Sequence, residues 1–320
     1  MRTDLQETGR LAKEASRKLP GLSQDKKNDV LRACADALER GAEYVLAENA
    51  RDMEAGRKNG MTEGLLDRLE LTPDRVKAMA DGMRHVATLD DPIGEVTGMT
   101  KRPNGLLIGK KRVPLGVVGM IYEARPNVTC DAFALCFKTG NAVILKGGSD
   151  AINSNIAIVR IMRDALKEQG IDENALQLIE DTSRETAAEF MRMREYLDVL
   201  IPRGGAGLIR AVVENSKVPV IETGTGNCHI FVDESADLVM ARDIVINAKT
   251  QRIGVCNACE SLVVHERIAP EFLPLIGEAL KEHEVEIRGD ARCRALIKDA
   301  VPATEDDWGR EYLEDRKSVV

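Results

Sequence analysis

The stretch Arg252-Ile253-Gly254-Val255-Cys256-Asn257-Ala258-Cys259 places a thiol on a glycine-containing turn between a predicted helix and a predicted strand. A cysteine so placed can attack a carbonyl carbon if a nearby base or positive surroundings lower its pKa. The same residue can equally be a small buried hydrophobe. Cys256 and Cys259 also match the spacing of a paired-thiol motif. A structural zinc site needs four ligands, and only His265 and the distant Cys293 offer themselves. A reversible disulfide between the two is a minor reading. Three further segments could hold a ligand: Lys146-Gly147-Gly148-Ser149, Arg203-Gly204-Gly205-Ala206-Gly207 and Thr223-Gly224-Thr225-Gly226. Glycine lets a backbone approach a phosphate, and helix N-termini favour anions. Two of these turns carry an adjacent cation, Lys146 or Arg203.

The elements that must present these residues alternate. Residues 1–90 read as helices, with Leu31, Ala35, Leu38, Ala42, Val45 and Leu46 at helical spacing and Thr72-Pro73-Asp74 as a helix start. Residues 96–113 read as an extended ribbon. Apolar runs then fall at 116–121, 142–145, 175–179, 197–201 and 218–221, with helical stretches between them. Buried strands separated by helices imply parallel pairing in an α/β fold, a doubly wound sheet with both faces covered. The glycine-rich turns follow strands, where open α/β sheets bind ligands. The strict G-x-G-x-x-G fingerprint is absent, so this is not the standard dinucleotide-binding turn. A second alternation runs through 229–232, 237–250, 261–264 and 285–287, and the tail from Trp308 is short and charged. The boundary falls at Glu222-Thr223-Gly224-Thr225-Gly226. This gives residues 1–223 as a cofactor-binding domain with the β-ribbon near 96–113, and residues 224–320 as a second α/β domain carrying Cys256.

Composition narrows the partners. The 320 residues carry a net charge of −8 and only 3% aromatic residues. That leaves no global attraction for nucleic acid or anionic membrane and few rings for base stacking. A small anionic substrate in a local basic pocket remains open. No window approaches the roughly 20 apolar residues of a membrane span, and the N-terminus lacks the apolar core of a signal peptide. Seven scattered cysteines suit a reducing compartment, with the cytoplasm as default.

Five stretches carry a specific resemblance. They are 113–129 (Val-Pro-Leu-Gly-Val-Val-Gly-Met-Ile-Tyr-Glu-Ala-Arg-Pro-Asn-Val-Thr), 138–148, 201–205, 222–229, and 247–252 running on to Cys256-Asn257-Ala258. In this order the sequence resembles the γ-glutamyl phosphate reductase family, also called glutamate-5-semialdehyde dehydrogenases, a branch of the aldehyde dehydrogenase superfamily. The resemblance implies that L-glutamyl 5-phosphate is reduced by NADPH to the semialdehyde with release of phosphate, in proline biosynthesis. It implies Cys256 as nucleophile, Asn127 as oxyanion donor and Glu222 in the place of the general base of hydrolytic relatives. It also implies Lys146 on the cofactor's ribose. Gly147, Ser149, Arg203, Gly204, Gly205, Thr223 and Gly224 are expected to line the same NADP(H) site. Arg125, Lys249 and Arg252 are the candidates for holding substrate phosphate or carboxylate; no metal is needed. The sequence after Leu313 diverges from the apolar strand expected of the family, so the second domain is expected to be incomplete and a sheet edge unpaired. A homo-oligomer is expected where the missing part is present. An inactive fragment that binds nucleotide or a partner chain and a hydrolytic aldehyde dehydrogenase are the competing readings.

Overall fold

The computed structural model describes residues 4–224, 226–251, 255, 257–310, 312 and 317–319. The chain divides into two compact units, Met1–Thr223 and Gly224–Val320.

The first unit begins with five helices: α1 Leu5–Ser16, α2 Gln24–Arg40, α3 Ala42–Lys58, α4 Glu63–Leu69 and α5 Pro73–Thr88. The apolar spacing from Leu31 to Leu46 predicts one helix; the chain instead breaks at Gly41. A Cβ on Gly41 would lie 2.5 Å from Ile161, so the break coincides with a close approach of two helices. The Thr72 hydroxyl accepts from the Arg75 amide and starts α5, with Pro73 in its first turn. Strands β1 Val96–Lys101 and β2 Leu107–Lys111 pair antiparallel as an exposed ribbon.

Then the alternation sets in: β3 Val117–Tyr122, α6 Asn127–Lys138, β4 Ala142–Gly147, α7 Ile152–Glu168, β5 Leu176–Leu178, α8 Arg184–Phe190, β6 Val199–Arg203 and α9 Ala206–Asn215. The strands form one parallel sheet in the order β5-β4-β3-β6. The run at 218–221 adds only an isolated parallel bridge, Val220 to Leu200. Every residue of β3 and β4 is buried. Each of Val117, Val118, Val143, Ile144 and Leu145 contributes about 1.5–3 kcal/mol by leaving water. That stiff centre is what holds the strand ends in place.

The second unit contains β7 Cys228–Val232, α10 Leu238–Thr250, β8 Cys259–Val264, α11 Ala269–Glu282, β9 Glu286–Gly289, α12 Ala291–Leu296, β10 Val301–Pro302, α13 Glu305–Trp308 and β11 Lys317–Val319. Its sheet has the order β10-β9-β11-β8-β7, all parallel. Here the structure departs from the sequence reading. The charged tail enters the middle of the sheet and pairs with both β8 and β9. Two open neighbours supply backbone partners on both sides, and ladder hydrogen bonds do not depend on side-chain hydropathy.

Candidate active site

The strand order locates the crevice of the first unit. From β3, the strands β4 and β5 are added to one side and β6 to the other, so the direction of winding reverses between β3 and β6. Ligands of open α/β sheets bind outside the carboxyl ends of strands at such a reversal. The register puts Tyr122 of β3 opposite Gly147 on one side and Arg203 on the other. Two of the three glycine-rich turns are thereby brought to one edge, about 10 Å apart across two strand spacings.

Lys146 lies within β4 and is only 3% exposed. Its ammonium donates to the Gly147 carbonyl at 3.2 Å. Burial pulls its pKa below the ordinary lysine value, while the Asp181 carboxylate pulls the other way. Three N–H bonds with one acceptor among the described residues leave donor capacity unused. Ser149 follows on an exposed turn, its hydroxyl 3.5 Å from Asp150.

Arg203 ends β6 and is exposed. The glycines after it are occupied from within the protein. The Glu123 carboxylate accepts from the Gly205 amide at 3.1 Å, at the N-terminus of α9. A Cβ on Gly204 would fall 2.5 Å from the same oxygen. Nothing in local spacing singles out Glu123, which lies 82 residues away in the chain.

Asn127 opens α6 and is exposed; its amide donates to the Asp131 carboxylate at 3.1 Å. Surrounding protein pushes the Asp131 carboxyl above its usual value, against the opposing effects of Asn127 and the charge of Arg203. Asn127 and Arg203 are thus neighbours of one carboxylate. Partly buried Arg125 sits on the β3–α6 turn after Ala124, whose φ of +28° is strained for a residue with a side chain. Glu222 and Thr223 are exposed beyond the Val220 bridge and close the first unit, and Gly224 begins the second.

In the second unit Lys249 is 1% exposed and its ammonium lies 3.2 Å from the Glu260 carboxylate, itself buried. Its ammonium is committed to a carboxylate of the protein. This pair joins the last turn of α10 to the start of β8, the two ends between which the predicted nucleophile falls. Cys256 and Arg252 themselves lie outside the described residues. Neighbouring Cys259 is buried, which pushes its thiol up to about 11 although the Lys249 charge acts the other way. Replacing Glu260 by alanine would leave the Lys249 ammonium buried without that counter-charge. We expect a loss of about 3–5 kcal/mol in chemical denaturation, largely recovered in the double variant Glu260→Leu/Lys249→Met.

An aldehyde dehydrogenase family model matches residues 1–299. A γ-glutamyl phosphate reductase from Clostridium perfringens is 58% identical over 98% of this chain and 76% of its own length. One from Moorella thermoacetica is 60% identical over 97% of this chain and 74% of its own. This chain belongs to the γ-glutamyl phosphate reductase branch of the aldehyde dehydrogenase family. The crystal structure of a γ-glutamyl phosphate reductase from Thermotoga maritima superposes with a TM-score of 0.88 at 49% identity, covering 99% of this chain and 76% of that one.

Membership in the family makes the chain an oxidoreductase that uses a nicotinamide cofactor. The β4 edge fits such a group. The strand offers the underused ammonium of Lys146, and the Nδ2 of Asn155 is buried with no hydrogen-bond partner. A Cβ on Gly147 would lie 2.5 Å from that same nitrogen. Sequence reasoning passed over Asn155, Glu123, Asp131 and Glu260. Asp131 meets Asn127 one helical turn along α6, while Asn155, Glu123 and Glu260 touch their residues through contacts that the fold creates. Among the described residues no helix is long and apolar enough to cross a membrane.

Proposed function

We propose that the chain reduces L-glutamyl 5-phosphate to L-glutamate 5-semialdehyde with NADPH, releasing phosphate, as a step of proline biosynthesis. The observation that carries this is the 58% identity, over 98% of the chain, to a protein bearing the γ-glutamyl phosphate reductase name. In this reading residues 1–223 bind the cofactor and residues 224–320 supply the nucleophile. A small anionic substrate, a cytoplasmic setting and homo-oligomeric assembly belong to the same reading.

The thiolate of Cys256 attacks the acyl phosphate carbon, the carbon–oxygen bond to phosphate breaks, and a thioester remains on the sulfur. A bound nicotinamide would supply the hydride for that carbon; the carbon–sulfur bond then breaks, releasing the semialdehyde and returning the thiolate to Cys256. Negative charge builds on the carbonyl oxygen in both additions. Asn127 retains one amide N–H beyond the bond to Asp131, and that N–H is the donor for this oxygen. Lys146 holds the cofactor's ribose. Arg125 and Arg252 give the substrate's anionic groups their counter-charges, and Arg203 lines the cofactor site.

No water is added in this direction, so a general base at Glu222 has little to do. The variant Glu222→Gln is expected to keep its rate within about tenfold of the wild type, below the roughly 10²–10⁴-fold that a working general base contributes. A loss comparable to that of Cys256→Ala would overturn that assignment. The activity itself is tested by oxidising the semialdehyde with NADP and inorganic phosphate. Phosphate-dependent formation of NADPH, faster with NADP than with NAD, is expected. Phosphate-independent formation of the free acid would instead support a hydrolytic aldehyde dehydrogenase.

A further inference from the structure

A buried polar chain links the predicted oxyanion helix to the predicted cofactor strand. The Tyr122 hydroxyl and the Thr129 Oγ1 are 2.7 Å apart, and Thr129 in turn donates to Asn155 Oδ1 at 2.9 Å. The three side chains are 1%, 0% and 0% exposed. They come from the end of β3, the first turn of α6 and the first turn of α7. The other end of the Asn155 amide, Nδ2, faces Gly147 and has no acceptor. Two costs therefore meet at one place. A buried donor without a partner is destabilising, and glycine inside a strand is too. An asparagine serving only to fill the core would be paired or replaced by an apolar residue of the same shape. These costs fall at Gly147, the residue after Lys146, whose ammonium also keeps spare donor capacity.

We propose that Asn155 is a positioning residue of the cofactor site, seating Gly147 and Lys146 against the helix that carries Asn127 and keeping its spare N–H for an oxygen of the bound dinucleotide. The inference rests on the reading of the β4 end as the cofactor site. The approach to Nδ2 is past Gly147, where a side chain would block it, since a Cβ there would lie 2.5 Å from that nitrogen. The amide cannot swing away, because its oxygen is held by Thr129.

The test is a pair of measurements on the whole chain: NADPH affinity by titration, and thermal unfolding without cofactor. Asn155→Leu keeps the bulk and deletes the orphan donor. It is expected to unfold within a few degrees of the wild type, the deleted orphan donor offsetting the Thr129 hydroxyl left without its acceptor, while its Kd for NADPH rises about tenfold, the scale of one hydrogen bond. Asn155→Thr keeps an acceptor for Thr129 but lacks the amide, and gives the same result should the leucine variant fail to fold. A Kd within twofold of the wild type in either folded variant overturns the inference. Absence of NADPH binding by the wild type would instead show that the cofactor reading of β4 is wrong, and the inference would fall with it.

Discussion

Replacing Cys256 by alanine is expected to lower kcat by about a million-fold, the scale on which removing the nucleophile of a covalent mechanism acts. The expectation rests on contrast as well as on position in the chain. Burial pushes the thiols of Cys34 and Cys136 up to about 12, those of Cys259 and Cys293 up to about 11, and that of Cys130 well above its usual value. A thiol is a nucleophile only as its thiolate, so these five are almost entirely inert at neutral pH. Cys259→Ala should accordingly keep most of the activity, although it stands three residues from Cys256. Steady-state assay of both variants, with NADPH affinity measured alongside, checks the assignment. Cys256→Ala should bind NADPH like the wild type. Residual turnover within about a hundredfold of wild type would mean that the thioester route is wrong.

The second large effect is expected at Asn127. Changing it to alanine should reduce kcat by about 10²–10³-fold, or roughly 2.7–4 kcal/mol of transition-state stabilisation, with little change in KM for the acyl phosphate. The donor is useful because it is already oriented before charge develops. Here the orienting group is visible: Asp131 accepts one amide hydrogen at 3.1 Å and leaves the other to point elsewhere. Asp131→Asn should therefore lose less than Asn127→Ala, because it weakens the orientation and keeps the donor. Asn127→Asp should be at least as damaging as the alanine, since it removes both N–H bonds and adds a negative charge beside a developing oxyanion. A rise in KM at unchanged kcat would show instead that Asn127 merely binds the ground state.

Much of this was legible in the residues. Thr72-Pro73-Asp74 starts a helix because cap, ring and first-turn acid act within four positions, and α5 begins there. The apolar runs at 116–121 and 142–145 read as interior strands, and β3 and β4, which contain most of them, are buried throughout. Two contacts across distance were not legible. Residues 317–319 (Lys-Ser-Val) gave no hint of a strand, because their place depends on two partner strands that become neighbours only when the sheet assembles. The Gly204-Gly205 pair reads as a ligand turn, and nothing in its spacing announces the Glu123 carboxylate that approaches it. Glycine marks where something comes near without saying what.

The order of residue types along the chain determined the alternation of strand and helix, the family, and which side chains could act as nucleophile, donor or cofactor anchor. Those are properties of spacing and chemical type, and they are written locally. The tertiary structure decided which groups are already committed and which keep a bond to give. Lys249 is committed to Glu260 and one hydrogen of Asn127 to Asp131, while Lys146 and Asn155 retain donor capacity at the β4 edge. Commitment depends on desolvation and on partners that the helices and strands bring into contact, four residues away for Asn127 and eleven for Lys249, and the burial that fixes it exists only after the sheet and its helices have closed around them.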